Sequence, residues 1–170
     1  TDDAVIADAL NTRQPLSDIS RDGVDIVWLH FGEHPADDWV ALQEVKATGD
    51  ASLGYASDLK VDYDKLFGTK PQFTLRTRLD GLKNMLEYGL GRSDYAHRLT
   101  AIGGPCAAQA TRVRLLPTLV HESRDAEPQS RMLMVRQSLL TSGWDEAAVC
   151  CWSIGMDDFS ARMARLVTQS

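Results

Sequence analysis

The stretch GVDIVWLHF (residues 23–31), GEHPADD (32–38), WVALQEVKATG (39–49) decides how this chain folds. Its two outer runs are rich in β-branched and aromatic residues, and the seven residues between them are turn formers, so the stretch predicts a hairpin. Side chains two apart in a strand point to the same face. Asp25 therefore shares a face with Val27, Leu29 and Phe31, and Glu44 shares one with Val40, Leu42 and Lys46. A pairing that sets Asp25 opposite Glu44 brings two carboxylates and an amine together at one end of a buried sheet. Two carboxylates about 5 Å apart repel by roughly 3 kcal/mol at an effective dielectric of about 20. A divalent cation reverses that sign, since Mg²⁺ takes carboxylate oxygens and keeps several waters. A lysine beside it can orient or deprotonate a water, or stabilise charge on a phosphate.

An acid on one strand followed by Glu-x-Lys on the next resembles the PD-(D/E)XK nuclease superfamily. Asp25, Glu44 and Lys46 carry the match; where the family prefers Pro before the first acid, this chain has Val24. The resemblance implies a restriction-endonuclease-like α/β fold, with a mixed central β-sheet flanked by helices. It implies catalysis by Asp25, Glu44 and Lys46, Mg²⁺ or Mn²⁺ held by Asp25 and Glu44, and hydrolysis of phosphodiester bonds, with DNA as the leading substrate. Small nuclease domains of this kind occur in restriction, antiphage defence, secreted toxins and repair. The family fold expects a short strand ahead of the motif strand, for which residues 11–22 offer room. Its first helix often carries a further acid near the metal, and Asp8 is the best-placed candidate.

The 170 residues suit one domain with a sizeable core. Hydrophobic content of 44% and charged content of 25% are those of an ordinary soluble protein. No apolar run approaches a membrane-spanning length, and no signal peptide is visible. Cys106, Cys150 and Cys151 show no CxxC spacing, which points to reduced cysteines in the cytoplasm and away from zinc. A net charge of −6 argues against a general nucleic-acid coat. The charge is uneven, however: residues 1–64 hold 14 acids and 4 bases, while residues 65–136 hold 12 bases and 6 acids. The basic half can meet phosphates. The acidic balance suggests that further DNA contacts come from a second subunit or a homodimer.

Along the chain, Asp2–Leu10 reads as a short helix with acids in its first turn. The loop 32–38 reads as solvated. Asp58–Phe67 predicts a helix capped by Ser57 or Asp58, with Lys60 and Lys65 as possible phosphate contacts. Gln72–Leu90 is the strongest helical pattern: Leu75, Leu79, Leu82 and Leu86 recur at helical spacing. Its other side carries Arg76, Arg78 and Lys83, the candidate nucleic-acid contacts. Residues 92–111 show no clear pattern. Arg112–Glu122 predicts a strand, placed at an edge or on a bulge by Pro117. Glu127–Leu140 predicts a helix entered through Pro128, and Ala147–Ile154 a buried strand with inert thiols. A final helix runs over Asp157–Val167, with Phe159, Met163 and Leu166 inward.

Other chemistries find less support. The four histidines form no HxH or HExxH spacing, and no GxSxG elbow exists. The competing reading from a different class is a non-catalytic binding or regulatory module of the same fold, in which Glu44 and Lys46 form a structural ion pair. An exposed pair of that kind contributes about 0–1 kcal/mol and needs no metal.

Overall fold

The hairpin forms as the alternation requires. A computed structural model of the chain describes residues 5–8, 25–49, 54–67, 79–102, 112–124 and 127–168. In it, β2 (Ile26–His30) and β3 (Trp39–Thr48) pair antiparallel, from His30 opposite Trp39 to Ile26 opposite Gln43. The connection contains one 3-10 turn, Pro35–Asp37. Val27, Leu29, Val40 and Leu42 are all buried; burial alternates along β2, while on β3 the opposite-face Ala41 and Gln43 are buried as well.

The sequence predicts a helix over Asp2–Leu10; the structure has a strand there. β1 (Val5–Asp8) pairs antiparallel with β2, Val5 opposite Leu29 through Asp8 opposite Ile26. β-Branched Val5 and Ile6 suit a sheet, and β2 offers them a second edge whose backbone groups need partners. Tertiary pairing thus overrides the charge pattern of a helix start. Asp8 therefore stands on a strand level with Ile26, not on a helix, and residues 11–22, where the resemblance implies a short strand, lie outside the described residues.

After β3 the chain makes α1 (Ala56–Phe67), then a helix over 79–84 that widens into a π-helical turn at Met85–Gly89 (together α2), then α3 (Ser93–Ile102). β4 (Val113–Glu122) returns parallel to β3, from Val113 beside Val40 to His121 beside Thr48. α4 (Pro128–Thr141) leads to β5 (Trp152–Met156), parallel to β4, and α5 (Phe159–Thr168) follows. The result is an α/β fold: a mixed five-stranded sheet, ordered β1-β2-β3-β4-β5, flanked by helices. One core joins Leu42, Leu115 and Leu119 of the sheet to Leu59 and Tyr63 of α1, Leu79, Leu82 and Leu86 of α2, and Met132 and Leu139 of α4. α3 was illegible as a helix, yet Ala96, Leu99 and Ile102 bury one narrow side of it. No helix among the described residues is long and apolar enough to cross a membrane.

Pro117 does not put β4 at an edge; β4 lies between β3 and β5. The Cys150 N–H donates to the Leu115 carbonyl at 2.9 Å, so the backbone groups of Leu115, and of Pro117 two residues on, face β5. Proline has no N–H to offer there. The β4–β5 ladder accordingly opens: an isolated Leu115–Val149 bridge precedes it, and pairing resumes at Thr118 beside Trp152. Cys150 and Cys151 fall in this gap rather than mid-strand, and Cys150 is exposed. The expected strand over Ala147–Ile154 is likewise corrected. Glu146–Ala148 is a 3-10 turn, held by an Ala147 N–H to Asp145 Oδ1 bond of 2.8 Å, and β5 begins only at Trp152. Trp152 and Ile154 are 42% and 41% exposed, so β5 is no buried strand. α5 is capped from a distance: Glu122 accepts the N–H groups of Asp158 and Phe159, each at 2.9 Å. Phe159 is buried as expected, whereas Met163 is 40% exposed.

Candidate active site

The last register pair of the hairpin is Ile26 with Gln43, so the next step sets Asp25 level with Glu44. Asp25 fixes this end of the hairpin itself: the Val45 N–H donates to its Oδ2 at 2.7 Å. Glu44 is buried, and Lys46 Nζ lies 3.8 Å from its Oε1. The three residues of the motif thus converge on one face where the β2–β3 pairing ends.

Two residues outside the motif complete the cluster. Asp62, on α1, forms a close ion pair with Lys46 Nζ. Tyr63, the next residue, is also buried; its hydroxyl accepts from the Glu44 N–H at 3.2 Å and donates to the Leu42 carbonyl at 2.9 Å. Tyr63 thereby holds the β3 backbone where Glu44 leaves it. Neither residue carried a signal in the sequence, because the spacing between β3 and α1 is set by packing and not by a motif.

The electrostatics follow from counting groups: three carboxylates surround one amine. Burial, then the charges of Asp25 and Asp62, push the Glu44 carboxyl up from 4.5 to about 7, and Lys46 only partly offsets this. Burial alone would lower the Lys46 amine, but its hydrogen bond to Asp62 and the charges of Asp62, Glu44 and Asp25 raise it on balance. Lys46 is therefore a firm cation at neutral pH. Side-chain exposure is 9% at Glu44, 21% at Asp62 and 27% at Lys46, so the cluster opens to solvent on the lysine side.

Among the described residues, no three His, Cys, Asp or Glu side chains gather closely enough to form a ready-made metal centre. The donor set fits a more open site: Mg²⁺ is commonly held by one or two carboxylates, with waters and substrate phosphate completing its shell. Asp25 and Glu44 supply that pair, and the raised Glu44 carboxyl marks the charge surplus that a cation would relieve.

The remaining predicted contacts are less connected. Arg76 and Arg78 lie outside the described residues, and Lys83 is half-buried on α2. Lys60 pairs with Asp64, one turn along α1. The loop 32–38 is not wholly solvated: Asp38 is 1% exposed and bound by arginines. Arg98 Nε donates to Asp38 Oδ2 at 2.8 Å, and Arg98 Nη2 to the Gly32 carbonyl at 2.7 Å. Arg112 Nε donates to the Asp38 carbonyl at 2.9 Å. The Gly32 N–H closes on Asp38 Oδ1 at 3.1 Å. Comparison of the chain with protein-family models, with curated proteins and with solved structures finds no match in any of the three.

Proposed function

We propose that Asp25, Glu44 and Lys46 form the active site of a metal-dependent nuclease that hydrolyses phosphodiester bonds in DNA, in keeping with the PD-(D/E)XK resemblance. The observation that carries this reading is the acid surplus: a buried glutamate held between two further carboxylates, with a lysine on the same face. A structural ion pair needs charge balance, and here the acids outnumber the base. Asp25 and Glu44 would hold Mg²⁺ or Mn²⁺, which when bound supplies charge stabilisation to the phosphoryl oxygens. Lys46, kept protonated by its neighbours, acts as a hydrogen-bond donor and a positive charge. It orients the attacking water and stabilises the phosphorane-like charge, and does not serve as the base. Asp62 holds the lysine side chain on the open side of the cluster. Contact with the DNA backbone falls to Arg76, Arg78 and Lys83. A role in antiphage defence, restriction or a toxin system, a cytoplasmic setting, and DNA contacts completed by a second subunit or homodimer belong to the same proposal.

The test is plasmid cleavage with and without Mg²⁺. Cleavage that requires the cation and disappears in Lys46→Ala supports the reading. Neutralising Lys83 and Arg76 should weaken binding and flatten its salt dependence while leaving turnover at saturating DNA intact. The Lys46–Asp62 pair favours the other reading, a binding module with a structural salt bridge. A protein that binds nucleic acid without metal-dependent cleavage would establish that alternative.

A further inference from the structure

A second set of groups lies on the same sheet face, one strand beyond Lys46. On β4, His121 is 4% exposed and level with Thr48. Its Nδ1 lies 2.8 Å from the Glu122 carbonyl oxygen, and its Nε2 lies 2.9 Å from Ser153 Oγ on β5. A carbonyl oxygen only accepts, so Nδ1 carries the proton in the neutral ring. Nε2 then presents its lone pair, and the Ser153 hydroxyl donates to it. Base and orienting group are therefore both set for one hydroxyl, which sits on an exposed residue.

The position beside His121 on β5 is a glycine. Gly155, two residues along β5, pairs with His121. A Cβ at Gly155 would stand 3.3 Å from Ser123 Oγ and 3.6 Å from His121 Cε1. A side chain there would crowd both, so the glycine lets the Ser123 hydroxyl and the edge of the buried imidazole lie close together. Ser153, Gly155 and Ser123 are all exposed.

We infer that Ser153 is an activated nucleophile, with His121 as its general base and the Ser123 hydroxyl as a donor to the developing oxyanion. The substrate class is a small, activated carboxylic ester. Ser153 Oγ would form a bond to the carbonyl carbon while its proton passes to His121 Nε2. The bond to the leaving alkoxide then breaks, and the alkoxide takes that proton. Water repeats the sequence on the acyl-serine and releases the acid. The Glu122 carbonyl, accepting from Nδ1–H, steadies the imidazolium between the two halves. This site uses neither Glu44 nor Lys46, so it stands apart from the nuclease proposal.

The test uses the full chain and a fluorophosphonate, which loses fluoride as it phosphonylates an activated serine. Peptide mapping reads the rate at every serine. Ser153 should react about 10²-fold or more faster than exposed Ser57 and Ser93, the scale of a positioned general base. Ser153→Ala should delete the adduct, and His121→Asn should bring its rate down to that of the other serines. Ser123→Ala, at an exposed position, should slow labelling while the melting temperature holds. If His121→Asn does not fold, the wild-type comparison and the two exposed serine variants decide the matter. Labelling of Ser153 no faster than that of Ser57, or labelling indifferent to both Ser123→Ala and a folded His121→Asn, overturns the inference.

Discussion

Two buried carboxylates, one just before β3 and one in its middle, have opposite surroundings. Asp38, just before the strand, is met by two guanidiniums and a backbone N–H: Arg98 binds its carboxylate, Arg112 lies 3.9 Å from Oδ2, and Gly32 closes the turn. Glu44, inside the strand, faces Asp25 and Asp62 with only Lys46 to offset them. The first cluster is over-supplied with positive charge and is tied to four backbone groups of the loop: the Gly32 N–H and carbonyl and the Pro35 and Asp38 carbonyls. The second is short of positive charge and opens to solvent. The first therefore reads as a device that fixes the hairpin connection, and the second carries the acid surplus on which the proposed cation site rests.

This contrast can be challenged by mutation. The largest expected effect is on chemistry. Lys46→Ala and Glu44→Gln should each lower Mg²⁺-dependent cleavage about 10²–10³-fold, equivalent to about 2.7–4 kcal/mol of transition-state stabilisation, with the fold retained. Full activity in either variant removes the functional reading of the Glu44 cluster. Asp38→Ala should do the reverse. Leaving Arg98 and Arg112 without their acid should cost about 3 kcal/mol of stability by denaturant titration, at the low end for a buried pair because both arginines reach solvent. Cleavage per folded molecule should be retained. A stable Asp38→Ala protein with lost activity would mean that the two clusters had been assigned the wrong way round.

A smaller effect separates the clusters by pH. The Glu44 carboxyl is raised from 4.5 to about 7 in the folded protein, so the native state binds more protons than the unfolded state between those values. Stability should therefore fall as pH rises from about 4.5 to about 7, by roughly 2–3 kcal/mol after allowing for the open side of the cluster. Glu44→Gln should flatten that slope in melting temperature; an unchanged slope places its origin elsewhere. The smallest effect concerns positioning. Tyr63→Phe leaves the Glu44 N–H and the Leu42 carbonyl without the hydroxyl, and should cost about 1–2 kcal/mol. It should also weaken the Mg²⁺ response if Tyr63 holds Glu44 in place.

The same contrast shows what a sequence can and cannot disclose. Asp25, Glu44 and Lys46 were legible because strand alternation is local: two residues apart means one face, and the loop length fixes the antiparallel register. Asp62 and Tyr63 were not, because they reach Glu44 and Lys46 only once α1 packs on β3. Asp38 was read as solvated for the same reason, since Arg98 and Arg112 come from 60 and 74 residues away. Strand order was the hardest element. Val5–Asp8 follows the acids of a helix start, Asp2 and Asp3, yet pairs with β2, and Pro117 suggests an edge although only its β5 side lacks a bond. Gly49 shows a subtler case. A side chain there would collide with Ser160 Oγ, so this glycine lets the start of α5 approach the end of β3.

The central claim is that Glu44 is held in a charge surplus that a divalent cation relieves. The most direct measurement is NMR titration of the Glu44 side-chain carboxyl, with and without Mg²⁺. Without the cation Glu44 should titrate near 7; with it, the midpoint should move well down, and Asp25 should respond to the same additions. A Glu44 that titrates near 4.5 and ignores Mg²⁺ would contradict the account.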